Sequence, residues 1–483
     1  MPRSGRAKLI GLILGAAVAL IVIVLVALSV WLTYYAKPRV ETLASEALGL
    51  QVTIAGSVRV GLIPTLHLTA NQVHMQATHT ELIGAQQVML GLDPIAALHH
   101  RAHISSLDVN QLEVTLDRDR KGKLDLRHLQ TPPGPTPDLT IARASATDAK
   151  LIYRDEATQG GFVFEGCQVD LRRLQLLQGH PSADWLKVIG FEGKAECQQF
   201  TLMNLRPTHI RFSVKAADGH MNFEPAELRW LGGEGKGAVQ ADFTGNLPHY
   251  LTHYELARFK AAEFFKLFTP KHVGEGLLNL KAELSMRGFS IEHMRHTLTG
   301  DAVLHGEQLT LYMGDLDQKF AHFESAQNFT LVDSAAFVFA GPIGLGISKG
   351  YDYAQILQGS EGSTVITKLV SAWNLDQGVA QATDVAMATH QNRMAVQGKV
   401  NVASDEIEEL RVALIDAQGC TEALQKVHGP FSKPKLEPPN VVKLLTTPTK
   451  RLIRKAARAL GEKCVAFYSG SVAAPPKSVE PPH

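Results

Sequence analysis

The sequence has little cysteine, no surplus of either charge and no recognisable catalytic motif. Four cysteines in 483 residues are too few for a disulfide-dense scaffold and too scattered for a zinc ribbon. Lys plus Arg number 48 and Asp plus Glu 47, a formal net charge of +1. A nucleic-acid binder needs a basic footprint, so no nucleic-acid partner is expected. There is no G-x-S-x-G elbow and no HExxH. Gly232 to Gly237 (GGEGKG) fails the phosphate-loop spacing, because Gly237 follows the lysine where Ser or Thr is required. Gly341, Gly344 and Gly346 fall in the wrong order for a dinucleotide site. His99, His100 and His103 belong to twenty scattered histidines and read as surface residues. Asp315 and Asp317 read as acids in a turn between strands. No enzyme, cofactor or metal site is expected.

Hydrophobic runs long enough for a bilayer are also absent, with one exception. From Leu9 to Ala36 there is no Asp, Glu, Lys or Arg, and about 20 apolar residues suffice to cross. Arg3, Arg6 and Lys8 precede the run, which places residues 1–8 in the cytoplasm and exports the remainder. Trp31, Tyr34 and Tyr35 sit at its far end, where amphipathic aromatics favour the lipid–water boundary. A cleaved signal peptide has an apolar core of only about 7–15 residues, so residues 9–36 read as an uncleaved anchor.

Beyond the anchor the dominant period is two. Pro38 to Gly49 reads as one short amphipathic helix. Then Val52 and Ile54; Val58, Val60 and Leu62; and Leu66 and Leu68 each share one face of a strand. Val88-Leu90-Leu92, Val109 followed by Leu112-Val114-Leu116, and Ile210-Phe212-Val214 continue the pattern, as do Val379, Val385, Met387 and Val396. Apolar residues make up 45% of the chain, which excludes wholesale disorder. The fold class expected is mainly β: a mostly antiparallel sheet with one apolar and one polar face, and a few short helices. Four prolines in TPPGPTPD mark residues 131–138 as an extended linker. They divide a β domain at 37–130 from a middle β region at 139–299 and a C-terminal β domain at 300–474, with a loose tail at 475–483. Phe259, Phe264, Phe265 and Phe268 read as core beneath a loop.

Four cysteines allow three pairings. Spacing groups Cys167 with Cys197 and Cys420 with Cys464, and an exported compartment permits oxidation. Between Cys420 and Cys464, residues 448–460 form a basic amphipathic helix. Lys450, Arg451, Arg454, Lys455 and Arg458 lie on one face, with Leu452, Ile453, Ala456 and Leu460 opposite. Such a helix can rest on an anionic membrane surface, or its shallow apolar side can pack on the sheet.

Several segments together resemble the AsmA family of envelope proteins of Gram-negative bacteria. At the N-terminus these are the anchor, the short helix, VTIAGSVRVGLIPTLHLTANQVHM (Val52 to Met75), GLDPIAALHH (Gly91 to His100) and LEVTLDRDRKGKLDL (Leu112 to Leu126). At the C-terminus they are GDLDQ (Gly314 to Gln318), the segment Phe323 to Tyr353, DVAMATHQNRMAVQGKV (Asp384 to Val400) and KCVAFYSGSVAAP (Lys463 to Pro475). The resemblance implies a single-pass protein of the bacterial inner membrane, mostly periplasmic. It also implies an elongated, curved, chorein-like β-groove that binds or moves phospholipid and supports outer-membrane biogenesis, with outer-membrane assembly components as partners. The groove floor would begin at Val52, Ile54, Val58, Val60, Leu62, Leu66 and Leu68. The rival expectation is a closed β body that acts as a scaffold or regulator of outer-membrane protein assembly.

Overall fold

The computed structural model describes residues 37–46, 50–61, 66–77, 80–92, 103–118, 139–156, 160–176, 185–203, 205–267, 271–312, 314–321, 362–437, 440–441 and 464–475. The anchor at 9–36, Leu62, Phe268, the Pro-rich 131–138 and the basic helix at 448–460 lie outside these residues, as does the tail after Pro475. No helix among the described residues is long and apolar enough to cross a membrane. The chain divides into two compact units, Met1–Pro225 and Ala226–His483. The division falls inside the expected middle region 139–299.

In the first unit, α1 (residues 37–46) precedes β1 (Gln51–Ile54), β2 (Val58–Gly61), β3 (His67–Ala77), β4 (Thr80–Leu92) and β5 (His103–Arg118). β6 (Leu139–Asp155), β7 (Gly160–Leu176), α2 (Trp185–Val188), β8 (Ile189–Leu202) and β9 (Thr208–Ala217) follow. β1 and β2 both pair with β3, and each later strand lies beside its predecessor in sequence. One pairing is the exception in a mostly antiparallel sheet: β5 and β6 run parallel, from His103↔Thr140 to Arg118↔Asp155. A parallel neighbour needs a return connection of a dozen or more residues, and the stretch 119–138 is long enough. The Pro-rich segment therefore joins adjacent strands of one unit.

Helix α1 closes the β1 edge. Val40 and Ala44 pack on Val52, Ile54, Val58, Ala70 and Val73. The Ile54 amide donates to Glu41 Oε1 at 2.8 Å, and the Val52 amide to Ser45 Oγ at 3.0 Å. Edge amides that a further strand would occupy thus find side-chain acceptors.

β10 (His220–Trp230) carries the chain across the division. The second unit comprises β11 (Gly233–Asp242), β12 (His249–Lys260), α3 (Ala261–Phe265), β13 (Gly274–Arg287), α4 (Ile291–His296), β14 (Thr299–Leu311) and α5 (Leu316–Ala321). It continues with β15 (Thr364–Asp376), β16 (Val379–Ala388), β17 (Arg393–Asn401), β18 (Glu406–Ile415), β19 (Thr421–Pro430), β20 (Lys435–Leu436) and β21 (Asn440–Val441). β11 through β19 form an antiparallel meander. Among the described residues no pairing closes the sheet of either unit on itself.

The second unit has a filled core. Phe259, Phe264 and Phe265 pack with Leu278, Leu309, Ile366, Trp373, Val385 and Val412, and Leu316 and Phe320 of α5 join them. The glycine run at Gly233–Gly237 makes room for this core. A Cβ on Gly235 would lie 2.5 Å from the Tyr254 hydroxyl, and one on Gly233 would lie 2.7 Å from Phe259 Cβ. The opposite face of β15–β18 is buried as well. Val370, Ala386, Ala388, Ala395, Ala413 and Ile415 lie under Tyr468 and Val472 of the C-terminal segment 464–475.

Both expected disulfides form, Cys167–Cys197 and Cys420–Cys464. The first crosslinks β7 to β8, with Cα atoms 4.0 Å apart. The second ties the 464–475 strap to the turn after β18.

Candidate functional site

The strand registers of the first unit assemble one continuous apolar face. One row runs Val58, Ala70, Val88, Val109, Ala146, Val169, Ala195, Phe212 from β2 to β9. A second runs Val60, Leu68, Leu90, Leu107, Ala144, Leu171, Gly193, Val214. A third, starting in β1, runs Val52, Met75, Ile83, Val114, Leu151, Phe164, Phe200. The residues between these rows face the other way and are mostly polar: Thr69, Met89, Asp108, Ser145, Asp170, Lys194 and Ser213 form one such row. On that side Ser145 Oγ donates to Asp108 Oδ1 at 2.5 Å, and Lys150 pairs with Glu165 at 3.4 Å.

Keeping the two faces in phase takes a coordinated device. In β3 to β8, two successive residues face the polar side, level with one another from β3 to β6 and displaced one step toward Leu151 in β7 and β8. These are Asn71-Gln72, Gln86-Gln87, Asn110-Gln111, Thr147-Asp148, Glu165-Gly166 and Gln198-Gln199, flanked by inward residues such as Val109 and Leu112. Gln72, Gln111, Asp148 and Gly166 adopt positive φ there, between 49° and 61°. A one-residue slip in a single strand exchanges its faces. When neighbouring strands all slip together, the apolar face survives. Outside this column lies an open cavity of about 650 Å³, lined by Gln72, Gln111, Asp148, Glu113, Lys150 and Glu165 among others. It is polar, and its Lys150 is already paired.

Burial separates the two units. Ile366, Leu309 and Val412 of the second unit are 0% exposed and Trp373 1%. In the first unit, Val88, Leu107, Val109, Leu112, Val114, Leu171 and Phe212 are only half-buried. The sequence-predicted floor residues divide accordingly. Val52, Ile54 and Val58 are buried beneath α1. Val60, Leu66 and Leu68 are half-buried. The region most accessible to an apolar ligand lies further along, in β4 to β9. Register periodicity there was visible at Val88-Leu90-Leu92 and Ile210-Phe212-Val214; Phe162 and Phe164 of β7 carry the same period of two, and what the sequence did not show is their meeting with Phe200 of β8.

One end of the face changes chemistry. Tyr153 stacks on Phe162 at 4.9 Å between ring centroids, Phe162 meets Phe164 edge-on at 5.8 Å, and Phe164 meets Phe200 at 4.5 Å. One step beyond Leu116 and Tyr153 on the same face, Arg118 Nη1 donates to Asp155 Oδ2 at 2.8 Å. Burial, with the Asp155 charge, raises the Tyr153 hydroxyl above its ordinary value, while Arg118 opposes the shift.

Of the chemistry-bearing residues singled out in the sequence, Asp315 and Asp317 have structural partners, while His99, His100, Gly341, Gly344 and Gly346 lie outside the described residues. Asp315 caps α5 by accepting from the Gln318 amide at 3.0 Å. Asp317 accepts from Asn392 Nδ2 at 2.6 Å and from Thr389 Oγ1. Among the described residues no cluster of three or more His, Cys, Asp or Glu side chains is arranged to hold a metal ion.

The fold and site define a sheet protein whose first unit presents an unbroken apolar face beside a polar one. Residues 3–136 match the model of the AsmA family, which supports an AsmA family protein. The match ends at residue 136 and so leaves the C-terminal segments of the resemblance outside it. No curated protein and no solved structure matches the chain significantly.

Proposed function

We propose that this is an anchored envelope protein that binds phospholipid acyl chains on the apolar face of its first unit. It moves phospholipid between membranes in support of outer-membrane biogenesis, and does so without a catalytic centre. The observation that carries the reading is the register-continuous apolar face from β4 to β9, whose larger side chains Val88, Leu107, Val109, Leu112, Val114, Leu171 and Phe212 are half-buried, while Ala144, Ala146, Ala195 and Val214 among them are buried. Exposing a sixteen-carbon chain to water costs on the order of 12 kcal/mol, at ~0.8 kcal/mol per CH₂. A carrier needs uninterrupted apolar surface to offset that cost, and no polar row breaks this one. The AsmA match supports the assignment. The anchor sequence at 9–36, with its basic leader, supports an inner-membrane attachment and a periplasmic body, and two disulfides agree with an oxidising compartment. The basic sequence at 448–460, with its expected amphipathic pattern, fits an anionic membrane surface.

The test is photo-crosslinking in cells. A benzophenone side chain replaces Val109 or Leu171 in the full chain, and adducts are identified by mass spectrometry. Phospholipid adducts at both positions are expected. Their absence, with protein adducts instead, favours the second reading. That reading is a scaffold or regulator of outer-membrane protein assembly, and the closed core of the second unit speaks for it.

A further inference from the structure

We propose that the apolar face of the first unit is polarised. Phospholipid lies on it with the headgroup at the Tyr153, Arg118 and Asp155 margin and the acyl chains directed along the strands toward Val109. The inference rests on the lipid-binding reading above.

The two margins of the face differ in kind. At one, the aliphatic rows give way to Tyr153, Phe162, Phe164 and Phe200, and then to the Arg118–Asp155 pair. Aromatic rings with a polar tip favour the boundary between apolar and wet surroundings. Tyr153 is half-buried there, its ring on Phe162 and its hydroxyl beside Arg118. At the other margin the same strands end in Leu92, Ile104, Ile141, Leu174 and Phe191, all apolar among the described residues on that face.

Length decides how a lipid fits between them. From Ile104 to Leu116, β5 extends about 40 Å at ~3.3 Å per residue. One leaflet of a bilayer contributes only about 15 Å, half of a ~30 Å hydrocarbon core. A single lipid cannot span the face, so its headgroup must sit at one margin. Among the described residues of the two margins, polar side chains on this face stand at the Tyr153 margin, as the Tyr153 hydroxyl and the Arg118–Asp155 pair, and the acyl chains then end near the Val109 and Leu112 level. A headgroup at the Leu92–Ile104 margin would meet apolar side chains among the described residues.

The test uses the full chain reconstituted in liposomes and two synthetic phosphatidylethanolamines. One carries a photoreactive diazirine on the headgroup, the other at the end of an acyl chain, and adducts are mapped by peptide mass spectrometry. The expected result is a shift between maps: headgroup adducts at 116–118, 153–155 and 160–164, and tail adducts around 107–114 and 167–171. Coincident maps, or headgroup adducts at 92–104 and 174–191, overturn the polarity while leaving lipid binding intact. Absence of adducts from both probes overturns the lipid-binding reading itself. The native protein is used throughout, so a folding defect cannot imitate either outcome.

Discussion

Two tyrosines place the same hydroxyl in opposite situations. The Tyr468 hydroxyl donates to Asp384 and accepts from the Val472 amide at 3.1 Å, holding the C-terminal strap to the sheet. The Tyr254 hydroxyl is buried and has no hydrogen-bond partner among the described residues. Removing a satisfied hydroxyl and removing an orphaned one have opposite signs. Tyr468→Phe is expected to lower stability by about 1–2 kcal/mol and Tyr254→Phe to raise it by about 1 kcal/mol, both read from urea unfolding midpoints. Burial pushes both hydroxyls above the usual tyrosine value of 10.0, with Asp384 adding at Tyr468 and Glu227 at Tyr254. The folded chain therefore keeps these protons where the unfolded chain releases them. Their contribution is complete below about pH 10 and is lost progressively above it. Alkaline unfolding curves should fall above pH 10, and either Phe variant should flatten the fall. A slope that neither variant changes would refute this assignment.

At the scale of the element, the bulge column explains a spacing that the sequence displays but does not interpret. Val109 and Leu112 are three apart where a regular strand puts two, and the same irregularity recurs at Ala85-Val88 and Ala146-Ala149. Read strand by strand it looks like a break in periodicity. Its meaning appears only when registers align the breaks across the sheet. Gln111, exposed at φ 49°, tests the device without disturbing the core. Gln111→Gly should leave stability unchanged or raise it by up to about 1 kcal/mol, while Gln111→Val should cost about 1–2 kcal/mol, because a β-branched residue resists the left-handed region. The parallel β5–β6 pair was not legible, since alternation carries no strand direction. The disulfides were legible in spacing and compartment, but their work is visible only in the strap. Arg393 donates to Val472 O at 2.9 Å, Lys368 to Ser471 O at 3.1 Å, and the Phe467 amide to Gly419 O at 2.8 Å. Replacing Cys420 and Cys464 together by Ser should cost about 2–4 kcal/mol. Hydrogen exchange should quicken at 464–475, with β15–β18 still protected. Equal deprotection of the strands would show that the disulfide holds the sheet rather than the strap.

At the scale of the whole molecule, each unit answers separately whether apolar strand faces stay available. Alternation predicted sheet and face correctly from Val52 to Val214 but could not show what lies on the face. A closed sandwich and an open sheet share the pattern. A finer signal was present in the second unit. Val385 to Ala388 and Val412 to Ile415 are unbroken apolar runs, which mark strands buried on both faces, and all eight residues are buried. Strands of the first unit alternate instead. This difference makes a charge substitution diagnostic. A carboxylate at Val412, 0% exposed, must be desolvated without a partner, so Val412→Asp should unfold the second unit or cost several kcal/mol. At Val109 or Leu171, half-buried, the same carboxylate can reach water, and the loss should stay near 1–2 kcal/mol. Lipid crosslinking at a neighbouring position, Val88 for Val109 and Ala144 for Leu171, should nevertheless collapse, because the acyl chain can no longer cross that row dry. Thermal unfolding and crosslinked-lipid yield, measured on the same preparations, separate the two effects. If Val109→Asp unfolds the chain as severely as Val412→Asp, the first unit's face is core, and the surface proposed to hold acyl chains does not exist.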